Sequence, residues 1–350
     1  MEDQYLDQFK RKEDQFIDFF SPLTSEISSY KSPELGFRTR AEFGIFLKKN
    51  SYEYSMIEQK SKVFIDQLVI CHPKINKLMI DLKIATKGNK EILNKLFSCE
   101  FKVTKLGKSI ICLNYHREID EDWKIEAKAI AEELQINLIG RSRKKKFVAG
   151  KDYIKEIYNI NSTSLELNLY ENCFSQPNPY ICEKILEWIR DLGIHSEDVL
   201  ELHCGIGTFT ILLSSIYNKV LATENSRPSI KALKDNINMN QVKNISFARL
   251  SGHETIEALS KKREFRRLRN IDLDSFNLST VLLDPPRMGL DSYTRENLKG
   301  FKNIIYISCG FKSLKEDLKK LKTHKVKKAS FFDQFPYTDH LESAVLLEKI

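Results

Sequence analysis

The sequence predicts an α/β chain in two parts: an α+β domain over residues 1–170, then a mostly parallel sheet flanked by helices over residues 171–350. Three observations carry this. From about residue 180, short apolar runs alternate with helical patterns, the rhythm of strand–helix units in a parallel sheet. The run Val199-Leu200-Glu201-Leu202-His203-Cys204-Gly205-Ile206-Gly207 ends a strand pattern in a tight Gly-x-Gly turn and passes straight into a helical one. Earlier in the chain, Gly36–Phe46 instead alternates apolar and polar residues, as a half-buried antiparallel strand does.

The elements follow in order. Residues 3–20 place Tyr5, Leu6, Phe9, Phe16 and Phe20 near helical spacing. Strand patterns follow at 36–46, 62–65, 100–104 and 109–115, with helical stretches at 74–83 and 121–135. The polar stretch Asn159–Ser164 and the turn-rich Gln176-Pro177-Asn178-Pro179 mark the domain boundary. A helix over 181–192 opens the second part. Strands are expected at 199–203, 219–223, 244–248, 280–284 and 303–307, and helices at 209–216, 228–239 and 312–321. The tail, 329–335 and 341–348, reads as two last strands, a hairpin at the sheet edge.

At 350 residues, 41% hydrophobic and 30% charged, the chain can bury two cores and reads as a soluble globular protein. No apolar run approaches the ~20 residues that span a bilayer, and the acidic N-terminus is not followed by a signal-peptide pattern. Seven cysteines lie scattered, none in Cys-x-x-Cys spacing, which argues against a metal or iron–sulfur site and for a reducing cytoplasm. The net charge of +8 gathers in three runs, Arg141–Lys146, Lys261–Arg269 and Lys312–Lys328. Such runs are usually solvated faces, but three of them on a basic chain point to a phosphate-bearing partner.

The ligand of the Gly-x-Gly turn follows from what the motif lacks. A dinucleotide fingerprint wants a third glycine where Thr210 stands. An adenosyl ligand without phosphates therefore fits better. Glu224 ends the next apolar run, where a carboxylate can accept both hydroxyls of a ribose. Asp284-Pro285-Pro286-Arg287 follows Val281-Leu282-Leu283, so the aspartate reaches the ligand cleft and the prolines stiffen the loop beside it. That pattern is characteristic of methyltransferases that act on nucleobases. Cys309 sits between a strand and a helix, where the helix dipole is expected to lower its pKa and make it a nucleophile. Glu342 stands just before the last strand and could serve as a base, with Asp339 and His340 as local competitors.

In this order the residues resemble the RNA uracil-5 methyltransferases that use S-adenosylmethionine, and in particular the bacterial tRNA (uracil-5-)-methyltransferase branch. The segments that carry the resemblance run nearly end to end: Phe37–Phe43, Phe174–Asn178, Leu200–Gly207, Ala222–Glu224, Asp284–Asp291, Tyr306–Cys309 and Phe332–Thr338. It implies a Rossmann-like methyltransferase domain behind an N-terminal α+β RNA-binding domain. It implies that Gln176, His203, Thr208, Glu224 and Asp284 line the S-adenosylmethionine site, that Cys309 is the nucleophile and that Glu342 is the base. It further implies a cytoplasmic monomer that forms 5-methyluridine in the tRNA T-loop, and acts on other RNAs with a T-loop-like hairpin. Arg38, Arg40 and Phe97 are the candidate RNA contacts. Two departures stand out: His203 and Thr208 replace the family's usual Tyr or Phe and Asn, and Gly310-Phe311 replaces the Asn-Pro that usually follows the cysteine. Competing readings are a ribosomal-RNA uracil methyltransferase, a methyltransferase of small molecules or proteins, and a non-catalytic RNA-binding or RNA-folding protein.

Overall fold

The computed structural model describes residues 2–58, 60–143, 145–194 and 197–350. Helix α1 (Glu2–Phe20) and strand β1 (Ile27–Tyr30) precede β2 (Arg40–Leu47), β3 (Tyr52–Glu58) and β4 (Ser61–Ile65). Helices α2 (Pro73–Ala85) and α3 (Lys90–Leu93), strands β5 (Leu96–Val103) and β6 (Ser109–Tyr115) and helix α4 (Glu121–Leu134) follow. Next come β7 (Asn137–Arg141), β8 (Lys146–Ala149), β9 (Tyr153–Ile160) and β10 (Thr163–Tyr170). The second half alternates: α5 (Pro179–Arg190), β11 (Asp198–Leu202), α6 (Thr208–Leu213), β12 (Lys219–Thr223), α7 (Arg227–Met239), β13 (Ile245–Ala248) and α8 (Gly252–Leu259). It closes with β14 (Leu278–Leu283), α9 (Ser292–Asn297), β15 (Asn303–Ser308), α10 (Phe311–Lys320), β16 (His324–Phe332) and β17 (Glu342–Lys349).

The chain divides into two compact units. One comprises Met1–Ser32, Tyr158–Leu167 and Cys173–Ile350, and the other Pro33–Ile157 and Asn168–Asn172. The first holds an eight-stranded sheet ordered β1-β16-β17-β15-β14-β11-β12-β13. Strands β11 to β15 are parallel, and β17 alone runs antiparallel to both its neighbours. The parallel strands are apolar along their length because helices cover both faces, so Val199, Leu200, Val281, Leu282 and Ile304 are fully buried. Two expectations need correction. The C-terminal hairpin is not at the sheet edge: β17 inserts between β15 and β16, and β1 forms the edge.

The division at residue 170 also fails for residues 1–32, which join the C-terminal unit. Their side chains explain this. Tyr5, Phe9, Phe16 and Phe20 of α1 are buried in the cluster that holds Leu200, Val281 and Phe331, and Phe9 meets Phe331 with ring centroids 5.4 Å apart. On the same helix the buried Lys12 Nζ donates to Asp333 Oδ1 at 2.9 Å and to the Phe335 carbonyl at 2.8 Å, while Gln8 donates to Asp333 Oδ2 at 3.0 Å. Helix α1 thus anchors the segment that leads into Glu342.

The second unit is a seven-stranded sheet ordered β4-β3-β2-β5-β6-β7-β8. It is antiparallel except for β6 and β7, which α4 links as a parallel pair. Helices α2 and α4 lay Leu78, Leu82, Trp123 and Ala127 onto a core that includes Phe43, Tyr54 and Phe101. A Cβ at Gly140 would overlap the Trp123 ring, so that strand lies flat under the indole.

Candidate active site

Three side chains expected to do chemistry emerge from adjacent strand ends. Asp284 follows β14, Cys309 follows β15, and Glu342 is the first residue of β17. The pairing Ser308↔Ser343 puts Cys309 level with Glu342 on the neighbouring strand, and Leu283↔Tyr306 puts Asp284 two residues short of Cys309 along β15. The antiparallel insertion of β17 matters here, because it brings the start of one strand to the edge where the parallel strands finish. Glu342 is 2% exposed, whereas its competitors Asp339 and His340 are exposed and Asp339 pairs with Arg11 at 3.1 Å.

The electrostatics of this edge differ from the expectation for Cys309. Burial pushes its thiol up to about 11, Glu342 and Asp284 push in the same direction, and Arg287 opposes them. Burial, with two nearby carboxyl groups beside it, outweighs the helix dipole. Burial, then Glu224, raises Asp284 to about 7. Burial and Asp284 hold Glu342 well above the ordinary carboxylate range, against the pull of Arg287.

Around the Gly-x-Gly turn the structure gathers the other expected residues. Gly207 has φ +95° and caps α6, at whose first position Thr208 stands. A Cβ there would strike Leu233, whereas the space at Gly205 is open. Glu224 Oε2 accepts from the Gly205 amide at 3.1 Å and Oε1 from Ser226 at 2.6 Å, which fixes the carboxylate beside the turn and leaves lone pairs for further donors. His203 adopts φ +62°, a left-handed conformation unusual for a side chain of this size, and packs against Gly252. Burial lowers its pKa, so the ring that replaces the usual Tyr or Phe is neutral at pH 7. Gln176 Oε1 accepts from the buried Gln334 at 2.8 Å, tying it to the segment before Glu342.

Glu201, not singled out from sequence, belongs to the same cluster. It is fully buried on β11, and neither of its oxygens has a formed hydrogen bond. Burial raises it to about 8, with the Thr210 hydroxyl easing the shift and Asp284 and Glu224 adding to it. An acid that interrupts an apolar strand was the available signal. Three acidic groups around a glycine turn, with an orphaned buried carboxylate among them, fit a ligand that carries positive charge and no phosphate. S-adenosylmethionine is such a ligand, with a sulfonium and an ammonium. Among the described residues no group of His, Cys, Asp and Glu is arranged to hold a metal ion, and no helix is long and apolar enough to cross a membrane.

The candidate RNA contacts lie in the other unit and do not form one cluster. A β-bulge between Leu96 and Ser98 takes Phe97 out of the alternation of β5. Phe97 is left 39% exposed and stacked on His116, with centroids 3.9 Å apart and planes 13° apart. His116 was not found from sequence, since nothing local marks it as the partner of Phe97. Arg40 opposes Lys102, five residues along β5 from Phe97, roughly 16 Å away. The Arg40 guanidinium is paired with Glu100, and Arg38 Nε donates to the Arg40 carbonyl at 2.9 Å. Some members of two of the basic runs are similarly engaged. Arg141 and Lys146 both pair with Glu171, while Lys144 lies outside the described residues. In the second run Lys261 pairs with Asp274 at 2.8 Å, and Lys262 sits 4.5 Å from the Tyr293 ring centroid.

Comparison with known proteins is consistent along the chain. The family model described as tRNA (Uracil-5-)-methyltransferase matches residues 4–350. The tRNA/tmRNA (uracil-C(5))-methyltransferase of Acinetobacter baumannii (strain AYE) is 43% identical over 361 aligned positions, covering 100% of both chains. Its counterpart from Acinetobacter baylyi (strain ATCC 33305 / BD413 / ADP1) is 42% identical over 346 positions, covering 96% of this chain and 95% of the other. Among solved structures, the Pyrococcus abyssi tRNA (uracil-54, C5)-methyltransferase in complex with S-adenosyl-L-homocysteine superposes with a TM-score of 0.76 at 18% identity, covering 98% of this chain and 83% of that one. At that identity the likeness shows the fold, a Rossmann-like methyltransferase.

Proposed function

This chain belongs to the tRNA (uracil-5-)-methyltransferase family, and from that premise we propose that it methylates carbon 5 of the T-loop uridine of tRNA through a covalent adduct on Cys309. It is an S-adenosylmethionine-dependent methyltransferase, and that co-substrate supplies the methyl as an electrophilic carbon on a positively charged sulfur. The observation that carries the finer reading is the row of Asp284, Cys309 and Glu342 on three adjacent strand ends.

Carbon 5 of uracil is a weak nucleophile. The Cys309 thiolate adds to carbon 6, and the ring becomes an enolate whose carbon 5 takes the methyl. Glu342 accepts the proton from carbon 5, and the sulfur–carbon 6 bond breaks to return the thiolate. A carboxyl whose pKa is held high is a stronger base once ionised, which suits removal of a carbon-bound proton. Cys309 must reach the ring face, so the uridine leaves its stack. Arg287, which draws both the thiol and the Glu342 carboxyl toward ionisation, steadies the charged forms. Glu201, Glu224 and Asp284 bind the cationic co-substrate with Gln176, His203 and Thr208.

The Pro33–Ile157 unit holds the RNA, with the Phe97–His116 stack as a platform for an unstacked base. Relatives named for both tRNA and tmRNA support a wider acceptor range of hairpins that mimic the T-loop. A reducing, cytoplasmic setting fits a chain with seven free cysteines, and we take the protein to act as a monomer. The test is transfer of labelled methyl from S-adenosylmethionine to an unmodified tRNA transcript, beside the same transcript with the T-loop uridine changed to cytidine. Label on the first alone supports the site and reaction together. Label on both moves the target elsewhere in the RNA.

A further inference from the structure

Helix α10 starts two residues after Cys309, and two of its side chains, one turn apart, reach the other loop of the site. Ser313 Oγ lies 2.8 Å from the Arg287 carbonyl and 2.8 Å from the Gly310 carbonyl. Asp317 is 3% exposed. Its Oδ2 accepts from the Leu290 amide at 3.0 Å and from the Tyr306 hydroxyl at 2.7 Å, and its Oδ1 from Arg295 at 2.8 Å. Residues four apart share a helix face, so Ser313 and Asp317 hold the Arg287–Leu290 turn at two points.

Two glycines permit this approach. Gly289 has φ +79°, and a Cβ there would come 2.8 Å from Asp317 Oδ2 and 3.0 Å from Ser313 Cβ. A Cβ at Gly310 would overlap the Arg287 carbonyl oxygen and the Ser313 hydroxyl. The departure from Asn-Pro after the cysteine is therefore matched to its surroundings. A side chain at position 310 and the Ser313–Arg287 contact exclude each other.

The geometry points to the Ser313–Asp317 face of α10 as a positioning clamp that sets the separation between Cys309 and the Asp284–Leu290 loop, with Gly310 as the residue that lets it close. Ser313, Asp317 and Gly310 are positioning residues, acting through Cys309 and Arg287. The inference rests on the reading of Cys309 as nucleophile. Its consequence is kinetic, because a displacement of ~1 Å between reacting groups lowers the rate by about 10²-fold.

The experiment uses the full chain and compares Gly310→Ala, Ser313→Ala and Ser313→Thr with the parent and with Cys309→Ala. Three quantities are read: kcat and KM for tRNA, the rate of Cys309 alkylation by iodoacetamide, and the melting temperature. Cys309 can be followed this way because the other six cysteines are buried. Ser313→Ala and Gly310→Ala are expected to lower kcat by roughly 10- to 100-fold with KM for tRNA within about twofold. Cys309 should alkylate faster in both, as the loop that shields it relaxes. Ser313→Thr, which keeps the hydroxyl, should recover most of the lost kcat. Equal impairment in Ser313→Ala and Ser313→Thr, or unchanged kcat and alkylation in Ser313→Ala, overturns the clamp. Should Gly310→Ala not fold, the Ser313 pair decides. Full turnover in Cys309→Ala overturns the nucleophile instead, and the alkylation rates of the other variants still judge the clamp.

Discussion

The Pro33–Ile157 and Asn168–Asn172 unit and the strand ends of the other unit treat buried charge in opposite ways, although away from those ends the latter pairs its buried Asp333 with Lys12 and Asp317 with Arg295. In the Pro33–Ile157 and Asn168–Asn172 unit, acids have cations beside them. Glu171 is 4% exposed between Arg141 and Lys146, Glu100 takes Arg40, and Glu91 takes Arg117. At the strand ends of the other unit, burial raises the pKa values of Glu201, Asp284 and Glu342, neighbouring acids add to the rise, and Arg287 opposes it at Glu342. A scaffold neutralises what it buries, since an uncompensated buried charge costs several kcal/mol. An edge that leaves acids uncompensated stores that cost until a cationic ligand arrives, which is why such clusters mark functional sites.

The comparison can be broken in four places. Cys309→Ala should abolish methyl transfer by on the order of 10⁴-fold or more while leaving the melting temperature nearly unchanged; retained turnover would deprive the acidic edge of its purpose. Glu171→Gln removes a paired carboxylate and leaves Arg141 and Lys146 facing a neutral amide. With those cations partly exposed, the loss should be about 1–3 kcal/mol in denaturant unfolding, and no loss would mean the pairing is incidental. Phe97→Ala should weaken binding of tRNA by about 1–2 kcal/mol without altering kcat, seen as a rise in KM; a change in kcat alone would place Phe97 elsewhere in the cycle.

The smallest effect has the opposite sign. Glu201 and Asp284 have folded pKa values raised to about 8 and about 7. Each therefore stabilises the fold fully below its unfolded pKa, near pH 4, and progressively less as pH climbs to the folded value. The melting temperature of the ligand-free protein should fall between about pH 4 and pH 8. Glu201→Gln should flatten that fall and raise the melting temperature at pH 8, whereas the same chemical change at Glu171 lowers it. Parallel behaviour of the two variants would contradict the contrast between the units.

The catalytic sheet was legible because its strands are apolar on both faces and the turns after them carry chemistry. Val199–Leu202, Val281–Leu283 and Asn303–Ser308 announce themselves, and the residues that follow each one are the site. What a linear reading could not supply is register. The place of β17 between β15 and β16 depends on pairing across the sheet, as does the docking of α1 through Lys12 and Asp333. Strands β3 and β7 to β10 escaped notice; β7 and β8 are short, and β3, β9 and β10 mix polar residues such as Ser55, Glu156 and Asn168 into their buried positions. Phe97 was legible and His116 was not, since a bulge and a fold bring them together. Glu201 interrupts the apolar run of β11 in sequence, and its burial beside Asp284 and Glu224 is a three-dimensional fact. The helix dipole at Cys309 was a sound local inference, outweighed by burial and by the carboxyl groups that arrive from β14 and β17.

The most direct test of the proposed chemistry is a denaturing gel of the protein with S-adenosylmethionine and a T-loop RNA that carries 5-fluorouridine at the acceptor position. Fluorine at carbon 5 cannot be removed as a proton, so the cycle should halt after methyl transfer with the sulfur of Cys309 still bonded to carbon 6. A slow-migrating protein–RNA band that vanishes in Cys309→Ala, and that forms with ordinary uridine in Glu342→Gln, is the expected result. Methyl transfer to ordinary uridine with no such band from the fluorinated RNA would contradict the covalent route and the roles of both residues.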